Sequence, residues 1–255
     1  MGKIDRTGGV PVYRQIADDL RRKVRSGEYA PGHQLPSERE LVDTYRASRV
    51  TVRQAIAVLR TEGLVEAQHG RGLFVRNHPR IQRLSQGRLS RSEREKGAGT
   101  FITDARSTPF AQRVEVDLRV ENADERTADL LGVSVGEPVF VRERRMFADD
   151  VPVQLATSRL PRTLTEGTRI EEQDTGPGGI YARLEDNGHH LGGFVEHVTA
   201  RMPTPEEAVA LQLGTGSPVI EAVRIARDST GYAVEMNDIL FAADRWELIY
   251  ELPAN

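Results

Sequence analysis

Residues 37–63 read SERELVDTYRASRVTVRQAIAVLRTEG, and this stretch constrains the fold more than any other. Ser37 and Glu40 have the S-x-x-E spacing of a capping box, in which each side chain satisfies a backbone N–H at the start of a helix. Leu41 and Tyr45 then lie one turn apart on that short helix. Arg46 and Ala47 leave room only for a turn, Ser48 is suited to cap a second helix, and Gly63 ends it. In this second helix Val52, Ala55, Ile56 and Leu59 form a narrow apolar stripe. Arg49, Thr51, Arg53 and Gln54 crowd its first turn and a half. Arginines there oppose the helix dipole, whose N-terminal end is already positive. A negative partner outside the chain would offset that cost.

The flanking sequence supplies the partner. Residues 12–26, VYRQIADDLRRKVRS, place Ile16, Leu20 and Val24 four apart with Tyr13 and Ala17 alongside, an amphipathic helix stopped by Gly27. YAPGHQLPS is a loop that turns at Pro31-Gly32. Residues 64–75, LVEAQHGRGLFV, read as two short strands around His69-Gly70-Arg71-Gly72. Helix, short helix, tight turn, helix and hairpin is the order of a winged helix-turn-helix, whose second motif helix enters the DNA major groove N-terminal end first. With the apolar stripe inward, Val50, Gln54, Ala57 and Thr61 point outward and Thr51 and Arg53 flank them. Arg53 and Gln54 then reach base edges, and Arg49 a phosphate or a guanine. Arg71, on a glycine-flanked tip, reaches the minor groove or the backbone.

Charge points the same way. The net −3 of the 255 residues hides 22 Lys and Arg against 12 Asp and Glu in residues 1–113, and 13 against 26 in residues 114–255. A basic half joined to an acidic half suits a chain that meets a polyanion at one end. There is no apolar run long enough for a bilayer, and residues 1–12 lack the apolar core of a signal peptide. The absence of cysteine excludes disulfides, thiolate metal sites and cysteine nucleophiles. The expectation is a cytoplasmic protein with a DNA-binding domain over residues 1–76, a basic linker over 77–111 that is helical at most around 90–96, and a second domain over 112–255.

From residue 112 the hydropathy alternates with period two in RVEVDLRV, PVFVRERRMF, VPVQLATSRLP, GGFVEHVTARM, PVIEAVRIA and AVEMNDILF. Short helical patterns lie between them at 123–131, 180–185 and 205–213. This predicts an α+β domain around a mostly antiparallel sheet. Two stretches mirror each other: ADERTADLLGVSVGEPVFVRERRM and TPEEAVALQLGTGSPVIEAVRIA each run acidic helix, Leu-Gly, turn, Pro-Val, then a strand bearing arginine. Such a duplication suits a pocket enclosed between two halves.

Residues 11–75 resemble the DNA-binding domain of GntR-type bacterial transcription regulators, through G-x-x-L-P-S-E-R-E-L (32–41), S-R-V-T-V-R-Q-A (48–55) and G-L-V-x-x-x-x-G-R-G-x-F-V (63–75). The resemblance implies operator contacts at Arg39, Arg49, Thr51, Arg53, His69, Gly70 and Arg71; Arg39 and His69 come from it alone. Residues 112–252 resemble the UTRA effector domain of the HutC subfamily, similar in fold to chorismate lyase, through G-x-P-V-x-x-x-x-R, I-Y-x-x-L (180–184), G-Y-A-V-E (231–235) and A-D-R-W (243–246). By position, that implies an effector site lined by Arg144, Ser158, Glu235 and Phe241. Arg142, Arg144 and Met146 share one strand face by alternation. Sugar-phosphate-sensing relatives carry an arginine-x-arginine pair before A-D-G-x-P. Aligned on ADDVP (148–152), this chain has Arg144 and Met146 there, and Phe241 where several relatives have tyrosine. Both departures point to a less phosphorylated, more apolar effector or to no small effector at all, whereas a slip in register would restore the pair as Arg142 and Arg144.

The expected function is sequence-specific repression: a homodimer on an inverted-repeat operator, modulated by a small-molecule effector, with no catalytic residue, metal, cofactor or membrane partner. Two other functions stay open, a constitutive DNA-binding dimer and a lyase-like enzyme in the second domain. His189, His190 and His197 with Glu196 lack the spacing of a metal-binding helix, and no G-x-S-x-G elbow or phosphate loop occurs. Trp246 is expected in the core, and RIEEQDTGPGG (169–179) in a solvated loop.

Overall fold

The computed structural model describes residues 4–6, 9–68, 70–77, 80–85, 87–92, 101 and 110–252. They fall into two compact units, Met1–Pro79 with Leu213–Ser217, and Arg80–Gln212 with Pro218–Asn255. In the first, helix α1 (Val12–Arg25) buries Ile16, Ala17 and Leu20 and ends before Gly27, whose φ of 80° needs glycine. Helix α2 (Glu38–Tyr45) carries the complete capping box: the Ser37 hydroxyl accepts from Glu40 N, and the Glu40 carboxylate accepts from Ser37 N at 2.8 Å. Arg46 turns the chain in the left-handed region. Helix α3 (Arg49–Thr61) is capped by Ser48 and buries Val52, Ala55 and Leu59 against Ile16, Leu20, Leu41 and Tyr45. Strands β1 (Val65–Gln68) and β2 (Gly72–Val75) pair antiparallel as the hairpin, and a bridge from Gln34 to Phe74 adds a third edge.

In the second unit the duplicated sequence becomes a duplicated sheet. Strands β4 (Gln112–Asn122), β5 (Pro138–Ala148) and β6 (Val151–Pro161) form one half, and β7 (Leu191–Arg201), β8 (Val219–Asp228) and β9 (Ala233–Ala242) the other. They join as β4-β5-β6-β9-β8-β7, antiparallel throughout, so β6 and β9 meet at the centre. The mirrored helices α4 (Glu125–Leu131) and α6 (Pro205–Ala210) each precede the arginine-bearing strand of their half. Helix α4 packs Ala128 and Leu131 against Val139, Val141 and Met236 on one sheet face. The other face takes α5 (Gly179–Asp186), through Ile180, Tyr181 and Leu184 against Phe140 and Leu160.

That same face also takes a small parallel pair, β3 (Ile81–Leu84) with β10 (Trp246–Ile249). Ile81 and Trp246 cover Met146, Ala156, Ile239 and Phe241. Strand β3 lies in the segment read from sequence as an irregular basic linker. Its inward residues are Ile81 and Arg83, and an arginine at an inward position hides the alternation that would betray a strand. The helical pattern expected around 90–96 falls mostly outside the described residues. Trp246 is buried as expected, its Nε1 donating to Val153 O at 2.9 Å.

Candidate DNA interface and effector site

On α3 the buried stripe fixes which side chains face out. Arg49 and Arg53 are 69 % and 62 % exposed, and Val50, Gln54, Ala57 and Thr61 are exposed with them. Thr51 is half-buried, its hydroxyl 2.8 Å from the Ser48 cap. Glu38, at the start of α2, collects both arginines: its carboxylate accepts from Arg49 Nε at 3.3 Å and from Arg53 Nε at 2.9 Å. The neighbouring Arg39 is exposed. At the hairpin tip Gly70 and Gly72 have positive φ, and the Gln34 side chain donates to Arg71 O at 2.8 Å, tying the tip to the loop before α2. The Arg71 guanidinium lies 5.3 Å from the centre of the Phe74 ring. His69 lies outside the described residues. Exposed arginines at the N-terminal end of one helix and on a wing tip are the groups that phosphates and guanine edges recognise.

The second site is a polar row crossing the sheet between two apolar patches. Strand register sets Arg142 opposite Ser158, Ser158 opposite Asn237, Asn237 opposite Arg224, and Arg224 opposite Glu196. Ser158 and Glu235 are fully buried; the Ser158 hydroxyl donates to Glu235 at 2.5 Å and accepts from Arg144 Nη2 at 2.6 Å. Tyr181 of α5 donates its hydroxyl to the other Glu235 oxygen. Burial pushes the Tyr181 phenol well above its ordinary range, so it stays a donor. With its carboxamide oxygen turned toward them, Asn237 accepts from Arg144 Nη2 at 3.3 Å and Arg224 Nη2 at 3.0 Å.

Arg142, 6 % exposed, donates to the backbone carbonyls of Glu172 and Gln173, so the acidic stretch, whose Glu172, Gln173 and Asp174 are exposed as expected, also touches the site. Burial, and then the nearby Arg144, lower the Arg142 guanidinium to about 10. Burial also lowers Arg144, offset in part by Glu235 and reinforced by Arg224. Among the described residues neither Arg142 nor Arg144 forms an ion pair with a carboxylate. Two desolvated cations on one strand face favour a bound anion.

Arg144, Ser158 and Glu235 are therefore brought together, with Arg142 beside them. Phe241 sits apart, edge-on to Trp246 with ring centres 5.0 Å apart in the apolar patch under β3. Met146 belongs to that patch too, so it does not stand in for a second arginine; Arg142 and Arg224 flank Arg144 instead. Tyr181, Arg224 and Asn237 also belong to the site and are not among the residues expected there from the sequence. A signal for Arg224 existed: it follows Pro218 by six residues, as Arg144 follows Pro138 in the mirrored half. Among the described residues no cluster of three or more histidines and carboxylates could hold a metal. His189 instead meets Asp228, with Nδ1 3.2 Å from Oδ2.

A helix-turn-helix with a hairpin wing, followed by a separate sheet domain, is the architecture of a DNA-binding transcription regulator. The chain belongs to the GntR family and carries a UTRA domain: residues 12–75 match the family of bacterial regulatory proteins named gntR, and residues 114–247 match the UTRA domain. It is 34 % identical to an uncharacterized HTH-type transcriptional regulator of Streptomyces coelicolor, over 95 % of this chain and 94 % of that one. It is 28 % identical to the HTH-type transcriptional repressor NagR of Bacillus subtilis, over 97 % of both chains. The crystal structure of PhnF from Mycobacterium smegmatis is similar with a TM-score of 0.60 at 27 % identity, covering 94 % of this chain and all of that one. These relatives are named as transcriptional regulators or repressors and not as enzymes. Among the described residues no helix is long and apolar enough to cross a membrane.

Proposed function

We propose that the protein is a repressor that binds an inverted-repeat operator as a homodimer in the cytoplasm and is modulated by a small anionic effector held in the polar row of its UTRA domain. The observation that carries the DNA reading is the exposed Arg49 and Arg53 pair at the N-terminal end of α3, held by Glu38. In this reading Arg53 and Gln54 address base edges, Arg49, Thr51 and Arg39 the groove rim, and His69, Gly70 and Arg71 the flanking groove or backbone. A twofold dimer presents two such helices, so its site is a repeat with matching symmetry. The effector reading rests on Arg142 and Arg144 with Ser158 and Glu235, and a bound anion would offset the cost of burying those cations. Phe241 stands outside that set, in the apolar patch beside Trp246. An effector alters repression only by binding the DNA-competent and incompetent states with different affinity. Selection from a random duplex pool tests the DNA reading. An enriched inverted repeat is expected; enrichment of a lone half-site, or of no sequence, would remove it.

A further inference from the structure

Beyond Arg144, the polar row continues to an oxygen on which three guanidiniums meet. Glu196 Oε1 lies 2.5 Å from Arg83 Nη2, 3.3 Å from Arg88 Nη2 and 3.5 Å from Arg224 Nη1. The first two arginines come from the segment just after the DNA-binding hairpin, and the third from β8. The partners differ in freedom. Arg83, Arg88 and Arg224 have side chains 1 %, 5 % and 4 % exposed, and the Arg83 guanidinium lies 5.2 Å from the centre of the Phe241 ring. Glu196 sits on β7, an edge strand, with its side chain 19 % exposed. The carboxylate is thus the member of the cluster that touches solvent most, and the guanidiniums are held out of it. Burial alone would push the Glu196 carboxyl up, but Arg83, Arg88 and Arg224 outweigh it and hold it below the ordinary range.

We propose that Arg83, Arg88 and Arg224 form an oxyanion subsite of the effector pocket, filled here by the Glu196 carboxylate, which a phosphate or carboxylate of the effector displaces. The subsite adjoins the anion site at Arg142 and Arg144 through Arg224 and Asn237, and the proposal rests on that reading of the pocket. Because Arg83 belongs to β3, an effector held there binds directly to the strand that follows the DNA-binding unit in the chain. Occupancy of the pocket and the order of residues 81–84 are then linked by mass action.

The test uses the full chain and titrates inorganic phosphate, and separately acetate, by calorimetry against chloride at matched ionic strength. Glu196→Gln removes the internal competitor and is expected to bind one of the two anions about tenfold more tightly than the wild type. The gain is lost in the double variant R83M/E196Q, and whichever anion gains more identifies the effector's group. If folded Glu196→Gln binds neither anion more tightly, the proposal is overturned. Hydrogen exchange of the wild type at residues 81–84, expected to slow with saturating anion, provides a refutation that does not depend on the folding of Glu196→Gln. Arg144→Met separates the two readings. If it weakens wild-type anion binding while Glu196→Gln changes nothing, the pocket reading stands and the subsite falls. If Glu196→Gln gains and Arg144→Met is silent, the subsite stands and the role of Arg144 falls.

Discussion

Replacing Arg53 by alanine separates base reading from generic attraction to DNA. In the free protein the Arg53 side chain is 62 % exposed and, among the described residues, paired with Glu38, itself 33 % exposed. An exposed pair of this kind contributes about 0.2–1 kcal/mol, so the variant should unfold within about 1 kcal/mol of the wild type. The same weakness means that releasing Arg53 from Glu38 costs little when DNA arrives. A bidentate contact to a base edge discriminates by about 1–3 kcal/mol, which is a ~5- to ~150-fold loss of operator affinity. On a scrambled duplex the variant forfeits one phosphate neutralisation at most, so its log–log salt slope changes by about 0.9 or less. Fluorescence anisotropy on both duplexes across a salt series reads the two quantities separately. Equal losses on the two duplexes would refute the placement of Arg53 at base edges. Glu38→Gln provides the opposite arm: it removes a negative charge beside Arg49 and Arg53 and should strengthen binding to both duplexes alike.

Three further predictions test the framework that holds these sites. Tyr45, buried between the helices, donates to the buried Asp19 carboxylate at 2.8 Å, so Tyr45→Phe should cost about 1.5–3 kcal/mol, read as a lower urea midpoint at unchanged m-value. Gly72 has φ +117°, and a Cβ there would lie 2.9 Å from the Gln34 amide nitrogen that holds the wing tip; Gly72→Ala should destabilise by about 1–3 kcal/mol and weaken DNA binding through Arg71. The Thr230 hydroxyl, with His189 and the backbone N–H groups of Thr230 and Tyr232, holds the Asp228 carboxyl at about 2. Its folded value is depressed, so its contribution is complete above the ordinary aspartate value of ~3.9 and is lost as pH falls toward 2. Asp228→Asn should flatten the pH dependence of stability across that window in acid titrations followed by circular dichroism.

The DNA-binding half was legible because its determinants are local. The Ser37–Glu40 box, the Ser48 cap and the stripe of Val52, Ala55, Ile56 and Leu59 each act within one or two turns of helix, and the structure places each as the spacing requires, with Ile56 half-buried at the edge of the stripe. The effector half was legible as strands, and the mirrored halves explain the mirrored strand order. Its site was only half visible, because the polar row is created by register between strands far apart in sequence. Ser158 and Asn237 become neighbours only when β6 pairs with β9. Arg83 is hidden for a related reason: a fully buried arginine contradicts the ordinary pattern, and the groups that meet it, the Glu196 carboxylate and the Phe241 ring, are each more than a hundred residues away.

The most direct test is the binding of the wild-type protein to the DNA upstream of its own gene, with a scrambled duplex alongside, measured by anisotropy at several salt concentrations. Saturable binding that prefers the upstream duplex and weakens steeply with salt is expected, as for any protein that neutralises several phosphates. Absence of binding to either duplex at low salt would contradict it.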